Sequence, residues 1–167
     1  MTSTKVPVLR IYCTTSWPNL ITACETAMLD VLARRVHRVS RQGCTAVQSY
    51  SNHWPCLLPQ HGPGPKHKRP ITLTDWQQEI TGIHTEDFLR GLIHSDGCRT
   101  TNRIVRTKKT YEYPRYHFSN ESTDIMGLRQ KPLDRLGVAW TMCKPNLLSV
   151  AQRAAVTRLD EFIGPKS

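Results

Sequence analysis

Residues 88 to 97 read Phe-Leu-Arg-Gly-Leu-Ile-His-Ser-Asp-Gly, and they decide how the rest of the chain is read. Phe88, Leu89, Leu92 and Ile93 recur at spacings of one, three and four, the period of one helix face and not of a strand. Gly91 and Ser95 stand one turn apart on that helix, so a second backbone can approach closely there, as at small-xxx-small contacts. Asp96 falls at the helix C-terminus, where the partial negative charge of the helix disfavours a carboxylate. Something has to compensate, and a bound cation is one candidate. Gly also suits the position just past a helix end. A plain buried helix followed by an Asp-Gly turn therefore stays open beside the cation site.

Leu89 to Gly97 resembles the signature of the LAGLIDADG homing endonucleases. Leu89, Gly91, Leu92, Ile93, Asp96 and Gly97 match that pattern, while Arg90, His94 and Ser95 depart from it. In that family two such helices pack through their small residues, and their terminal acids meet at the base to hold divalent metal ions that cleave DNA. The resemblance implies an α+β fold of tandem αββαββα half-domains with saddle-shaped antiparallel sheets, the first half lacking its motif helix. It implies that Asp96 is a magnesium ligand helped by the backbone carbonyl of Ser95, with Gly91 and Ser95 as the helix-packing residues. It implies double-stranded DNA as substrate, hydrolysis of its phosphodiester bonds, and a link to intein or intron mobility. His94 stands in place of the first acid of the motif, a position not expected to hold metal.

At 167 residues the chain is one domain or two small halves sharing a core. A net charge of +10, from 23 Lys and Arg against 13 Asp and Glu, favours a polyanionic partner. Nucleic acid is the first candidate and an anionic membrane surface the second. No apolar run approaches the ~18 residues needed to cross a bilayer, and the N-terminal residues show no signal-peptide h-region. The six cysteines include no C-x-x-C pair and read as reduced thiols of a cytoplasmic, nucleoid-associated protein. No recognised ligand spacing supports a zinc site built from Cys56, His61 and His67. Cys98 and His94 lack the third orienting group that a Cys-His hydrolase requires.

The chain also reads as one unit used twice. Arg10-Ile-Tyr-Cys-Thr parallels Arg115-Tyr-His-Phe-Ser at an offset of 105, and Leu29-Asp-Val-Leu parallels Leu133-Asp-Arg-Leu at 104. Ser49 parallels Ser149, and Gly64-Pro65-Lys66 parallels Gly164-Pro165-Lys166, both at 100. Each copy is expected to run strand, turn, helix, strand, helix. In the first these are 6–14, a helix started by Ser16-Trp-Pro-Asn with Pro18 in its first turn and running to about 36, 44–50 and a short helix from Trp54. In the second a hairpin of 102–106 and 111–118 precedes a helix over 124–136, a strand over 147–150 and a helix over 151–163. Pro132 is expected to interrupt the 124–136 helix. Thr74 and Thr85 are expected N-caps. The expected organisation is a truncated repeat over 1–66, a basic linker and short helix over 67–83, and a second repeat over 84–167. Only nine residues precede Arg10. The first copy is thus expected to have lost its motif helix and one strand, through truncation, a wrongly assigned start or gene decay, the alternative being that it never had them.

The segment after the acid is strongly basic, and residues 99–111 contain no Asp or Glu. Side chains alternate across a strand, so Tyr111, Tyr113, Arg115 and His117 share one face, and Asn102 and Arg106 share another on the preceding strand. A two-stranded ribbon fits the major groove of B-DNA. The expected DNA-binding set is Arg99, Asn102, Arg103, Arg106, Lys108, Lys109, Tyr113 and Arg115. Arg and Asn would read base edges and the turn lysines would touch phosphates. The plain alternative is an exposed hairpin carrying Lys on its edge.

Phosphodiester hydrolysis needs an activated water and a stabilised leaving oxygen, which two metal ions about 4 Å apart can supply. Magnesium prefers carboxylate oxygens and keeps several waters. The family uses two acids and this chain shows one, Asp96. Lys144 is a further candidate catalytic residue that could polarise a water. The second acid would come from lost N-terminal residues or from another protomer, through self-pairing at Gly91 and Ser95; otherwise the chain is a monomer of two pseudo-repeats. Three readings stand: a metal-dependent DNA endonuclease, a catalytically inactive DNA-binding protein or regulator with the same fold, and a decayed remnant of a mobile element.

Overall fold

In the computed structural model, which describes residues 6–62, 65, 68–107 and 109–166, the apolar stripe of 88–93 lies on a helix whose last residue is Asp96. The full order is β1 (Val8–Thr14), α1 (Pro18–Val31), β2 (His37–Arg41), β3 (Cys44–Tyr50), α2 (Trp54–Leu57), α3 (Asp75–Ile83), α4 (Thr85–Asp96), β4 (Gly97–Arg106), β5 (Lys109–Ser119), α5 (Thr123–Arg135), β6 (Thr141–Lys144), β7 (Leu147–Val150) and α6 (Arg153–Asp160). The elements form two units, Met1–Gly62 with Pro165–Ser167, and Pro63–Gly164. No helix among the described residues is long and apolar enough to cross a membrane.

From α4 onward the second unit is αββαββα. Its antiparallel sheet has the order β4-β5-β7-β6. Alternate residues of the central strands, Tyr116 and Phe118 of β5 and Leu148 and Val150 of β7, point to one side and are buried. Against them pack Leu89 and Ile93 of α4, Met126 and Leu133 of α5, and Val156 and Leu159 of α6. All three helices thus cover one face of the sheet, and among the described residues of this unit no helix packs on the other. Ser122 caps α5 by accepting the Ile125 amide at 3.4 Å. Pro132 does not interrupt α5 as expected: it is buried inside the helix, which ends only at Arg135, so the one lost backbone bond falls in the last turn. Arg129 of the same helix is 1% exposed with its guanidinium 4.0 Å from the Phe118 ring centroid, and burial lowers its pKa.

The first unit, β1-α1-β2-β3-α2, repeats the order β5-α5-β6-β7-α6, and its sheet order β1-β3-β2 repeats β5-β7-β6. Ile21, Met28 and Ala33 are buried at positions 105 before Met126, Leu133 and Val138, which are buried too. The helix ends also agree: Ala33 N donates to Met28 O at 2.8 Å and Val138 N to Leu133 O at 2.9 Å. The counterpart of Leu133 is therefore Met28, one residue before the expected Leu29, which is 45% exposed. Ser149 pairs with His117, whose counterpart Tyr12 pairs with Ala46, so Ser149 matches Ala46 rather than Ser49. Gly64 and Lys66 of the last expected match lie outside the described residues. Among the described residues the first unit has no counterpart of α4 or β4.

Three expectations change further. Helix α1 stops at Val31 instead of near 36, because the chain turns into β2, and each copy holds a hairpin where one strand was expected. The missed β2 is an edge strand, exposed at four of its five positions, so it lacks the apolar alternation that would mark it. Thr74 does precede α3, and its amide donates to Gln77 Oε1 at 3.0 Å. Thr85 is no N-cap: it lies inside α4, and its hydroxyl donates to Gly82 O at 2.7 Å, tying α4 to α3.

Candidate acidic site and nucleic-acid interface

Helix α4 ends at Asp96 and strand β4 begins at Gly97 with no residue between them. Gly97 is not a left-handed cap, since its φ of −107 is extended backbone. It is required by crowding: a Cβ there would lie 2.9 Å from Ile93 O, 3.0 Å from Ile93 Cα and 3.1 Å from His117 O. The helix thus passes directly into the sheet, which places the exposed Asp96 at the sheet's end.

The carboxylate at the helix terminus is compensated by an amide. Asn120 Nδ2 donates to Asp96 Oδ2 at 2.9 Å. Asn120 is itself 7% exposed; its Oδ1 accepts the Ser122 amide at 2.9 Å, and its own amide donates to Asn146 O at 3.1 Å. Sequence reading missed Asn120. The available signal was an Asn two residues before a helix-capping Ser, a spacing at which an Asx side chain accepts from the backbone.

Lys144 closes β6, is exposed, and stands opposite Leu147, which stands opposite Ser119. A register shift between Met142 and Lys144 sets that pairing. Lys144 and Asp96 share one end of the sheet, but β6 is three strands from β4, at about 4.8 Å per strand. The turn beyond Lys144 is held to Asn120 through Asn146 O. Ser95 is exposed, and its hydroxyl donates to Leu92 O at 2.8 Å. A Cβ on Gly91 would meet nothing within 4 Å, so the close helix contact expected at Gly91 and Ser95 is not made among the described residues. No group of three or more His, Cys, Asp or Glu that could hold a metal occurs among them either.

The register of β4 on β5 sorts the basic ribbon into two faces. Gly97 pairs with Phe118, Arg99 with Tyr116 and Arg103 with Glu112, all on the helix-covered side. Thr100 pairs with Arg115, Asn102 with Tyr113, Ile104 with Tyr111 and Arg106 with Lys109 on the open side. Asn102 and Arg106 therefore share the face of Tyr113 and Arg115, not a separate one.

Arg99 and Arg103 of the expected DNA-binding set lie on the other face, each against an acid. Arg99 grips Asp160 through Nε to Oδ1 at 2.7 Å and Nη2 to Oδ2 at 2.8 Å. The Tyr116 hydroxyl donates to the same carboxylate at 2.6 Å, and these bonds, that of Arg99 first, hold the Asp160 pKa below its ordinary value. Arg103 Nε donates to Glu112 Oε1 at 2.7 Å. On the open face Arg115 is half-buried and its Nε has no partner among the described residues. Tyr111 and Tyr113 stack there, ring centroids 6.4 Å apart at 17°. Burial and then Arg115 lower the His117 pKa. Lys108 lies outside the described residues.

No protein-family model and no curated protein matches the chain. Solved structures do. A mutant of I-SmaMI is similar over 94% of this chain and 74% of its own, at 10% identity and TM-score 0.59. Meganuclease I-SmaMI bound to uncleaveable DNA is similar over 95% and 74%, at 11% identity and TM-score 0.58. The LAGLIDADG homing endonuclease I-GzeII in complex with its DNA target is similar over 100% and 78%, at 8% identity and TM-score 0.58. With an αββαββα unit whose first helix ends in Asp-Gly, and a second unit repeating its last five elements, the chain has the fold of the LAGLIDADG homing endonucleases.

Proposed function

We propose that the chain binds double-stranded DNA along the open face of β4 and β5 and acts as a metal-dependent, homing-type endonuclease with Asp96 as its acid. One observation carries this reading: the strand that bears the open-face Asn102 and Arg106 begins at the residue after Asp96. A two-stranded ribbon of that kind fits the major groove. Arg106, Arg115 and Asn102 offer donors to base edges, and Lys109 in the turn region faces phosphates. That I-SmaMI and I-GzeII are seen with DNA supports the same partner.

The residues present fit one end of a magnesium site. Asp96 is exposed and its carboxylate is oriented by a buried amide, and magnesium is satisfied by one or two carboxylates with substrate phosphate oxygens and water. The Ser95 carbonyl lies in the last turn of α4, where carbonyls lack intrahelical partners. An ion held there would act as a Lewis acid and lower the pKa of a bound water. Of the chain's own groups, Asp96 binds, Asn120 orients, and Lys144 brings positive charge to the same end of the sheet. The second acid is proposed to come from a further protomer, docked on the open Gly91–Ser95 side of α4.

Binding without cleavage is the second reading, favoured by the single motif acid, Asp96, at the end of α4. Nicking of supercoiled plasmid in magnesium decides between them. The endonuclease reading expects nicking by the native chain and its loss in Asp96→Asn with DNA affinity kept. Nicking undiminished in Asp96→Asn removes the metal-ligand role. Salt-sensitive DNA binding with no nicking in magnesium or manganese selects the second reading.

A further inference from the structure

We propose that Asn120 is a positioning residue of the acidic site: its buried amide fixes the Asp96 side chain and thereby the oxygen that Asp96 presents to a divalent cation. The inference rests on Asp96 being a metal ligand. The amide has one workable orientation. Its Oδ1 accepts the Ser122 N–H at 2.9 Å and its Nδ2 faces Asp96 Oδ2 at 2.9 Å. Flipping it would set oxygen against carboxylate and NH2 against N–H. At 7% exposure the group is shielded from competing water, which strengthens the bond to a charged acceptor.

The molecule contains its own comparison. Thr15 of the first unit is the counterpart of Asn120, and its amide donates to Gly43 O at 3.4 Å as that of Asn120 does to Asn146 O at 3.1 Å. The amide of Trp17, counterpart of Ser122, is taken by the Thr14 carbonyl at 3.3 Å. The corner between strand and helix is therefore closed in the first unit without any side-chain amide. An Asn occurs where a motif acid exists, and its Nδ2 is spent on that acid. Through its backbone N–H, which donates to Asn146 O, the same residue holds the turn that follows Lys144, so both candidate groups at this sheet end are tied to Asn120, one by its side chain and one by its main chain.

Partners that orient a metal-binding carboxylate are commonly worth about 10- to 100-fold in metal affinity or activity. The informative variant is Asn120→Ser, whose hydroxyl can still accept the Ser122 amide but is too short to reach Asp96. Ser122→Ala serves as a control for mere damage to α5. Manganese is titrated into the chain bound to a mixed-sequence duplex and followed by water proton relaxation, a readout that needs no cleavage. Magnesium dependence of plasmid nicking is measured in parallel.

Asn120→Ser is expected to raise the half-saturating manganese concentration about 10- to 100-fold, with lost nicking largely restored at saturating magnesium. Ser122→Ala is expected to lower the melting temperature and leave manganese binding unchanged. An unchanged half-saturation in Asn120→Ser, or an equal shift in Ser122→Ala, overturns the inference. If Asp96→Asn weakens manganese binding and Asn120→Ser does not, the inference falls while the endonuclease reading stands. If Asp96→Asn has no effect, both fall.

Discussion

Gly97→Ala tests whether crowding at the junction of α4 and β4 holds the acid in place. The added methyl would sit 2.9, 3.0 and 3.1 Å from Ile93 O, Ile93 Cα and His117 O, where 3.4 Å or more is ordinary contact. All three are backbone atoms and none can swing away. Relief requires the last turn of α4 to separate from β5. Overpacking of this kind costs about 1–3 kcal/mol. Each kcal/mol lowers the melting temperature of a domain of about 100 residues by roughly 4–8 °C, so a fall of roughly 5–20 °C is expected. Gly91→Ala is the paired control. Its Cβ would meet nothing within 4 Å and it lies mid-helix, so in the unpaired chain Ala should stabilise by about 0.5–1 kcal/mol. Both changes restrict the unfolded chain alike, so their difference reports the folded state. Calorimetric melting of both variants in metal-free buffer is the assay. A Gly97→Ala melt within a degree or two of native, or shifts of one sign in the two variants, would refute the crowding argument. A destabilised Gly91→Ala that also loses a dimer would instead show a second copy packed on that face.

Neutralising the open face should weaken DNA binding, and neutralising the covered face should not. Arg106→Gln and Arg115→Gln are each expected to lower the slope of log affinity against log salt by about 1, measured by fluorescence anisotropy on a mixed-sequence duplex. Arg103→Gln, with its partner Glu112 on the other side, should leave the slope unchanged; an equal loss there would reverse the assignment of faces. Acid stability should depend on Asp160. Its folded pKa is depressed by Arg99 and Tyr116, so its contribution is present above the unfolded value of about 4 and is lost as pH falls through the folded one. Asp160→Asn should flatten the pH dependence of stability below about pH 4, and an acid-unfolding curve keeping the native slope would discount the Arg99–Asp160 pair.

What the sequence by itself determined is local. The period of Phe88, Leu89, Leu92 and Ile93 specified a helix and which side of it is buried, because a 3.6-residue repeat is written within a dozen residues. The duplication was legible through the Arg10–Arg115 match at an offset of 105, whereas the stripe that each half buries was read one residue off, at Leu29 instead of Met28. Tertiary structure decided the rest. Alternation told which residues of one strand share a face, but not which face of β4 meets which face of β5. A slip of one residue at the turn reverses every side chain. That is why Asn102 joined Tyr113 and why Arg99 and Arg103 turned toward acids. The partners that matter most are distant in the chain: Asp160 is 61 residues from Arg99 and Asn120 is 24 from Asp96. No local pattern encodes such pairs, because they exist only once the sheet has closed its register and the helices have packed on one side of it.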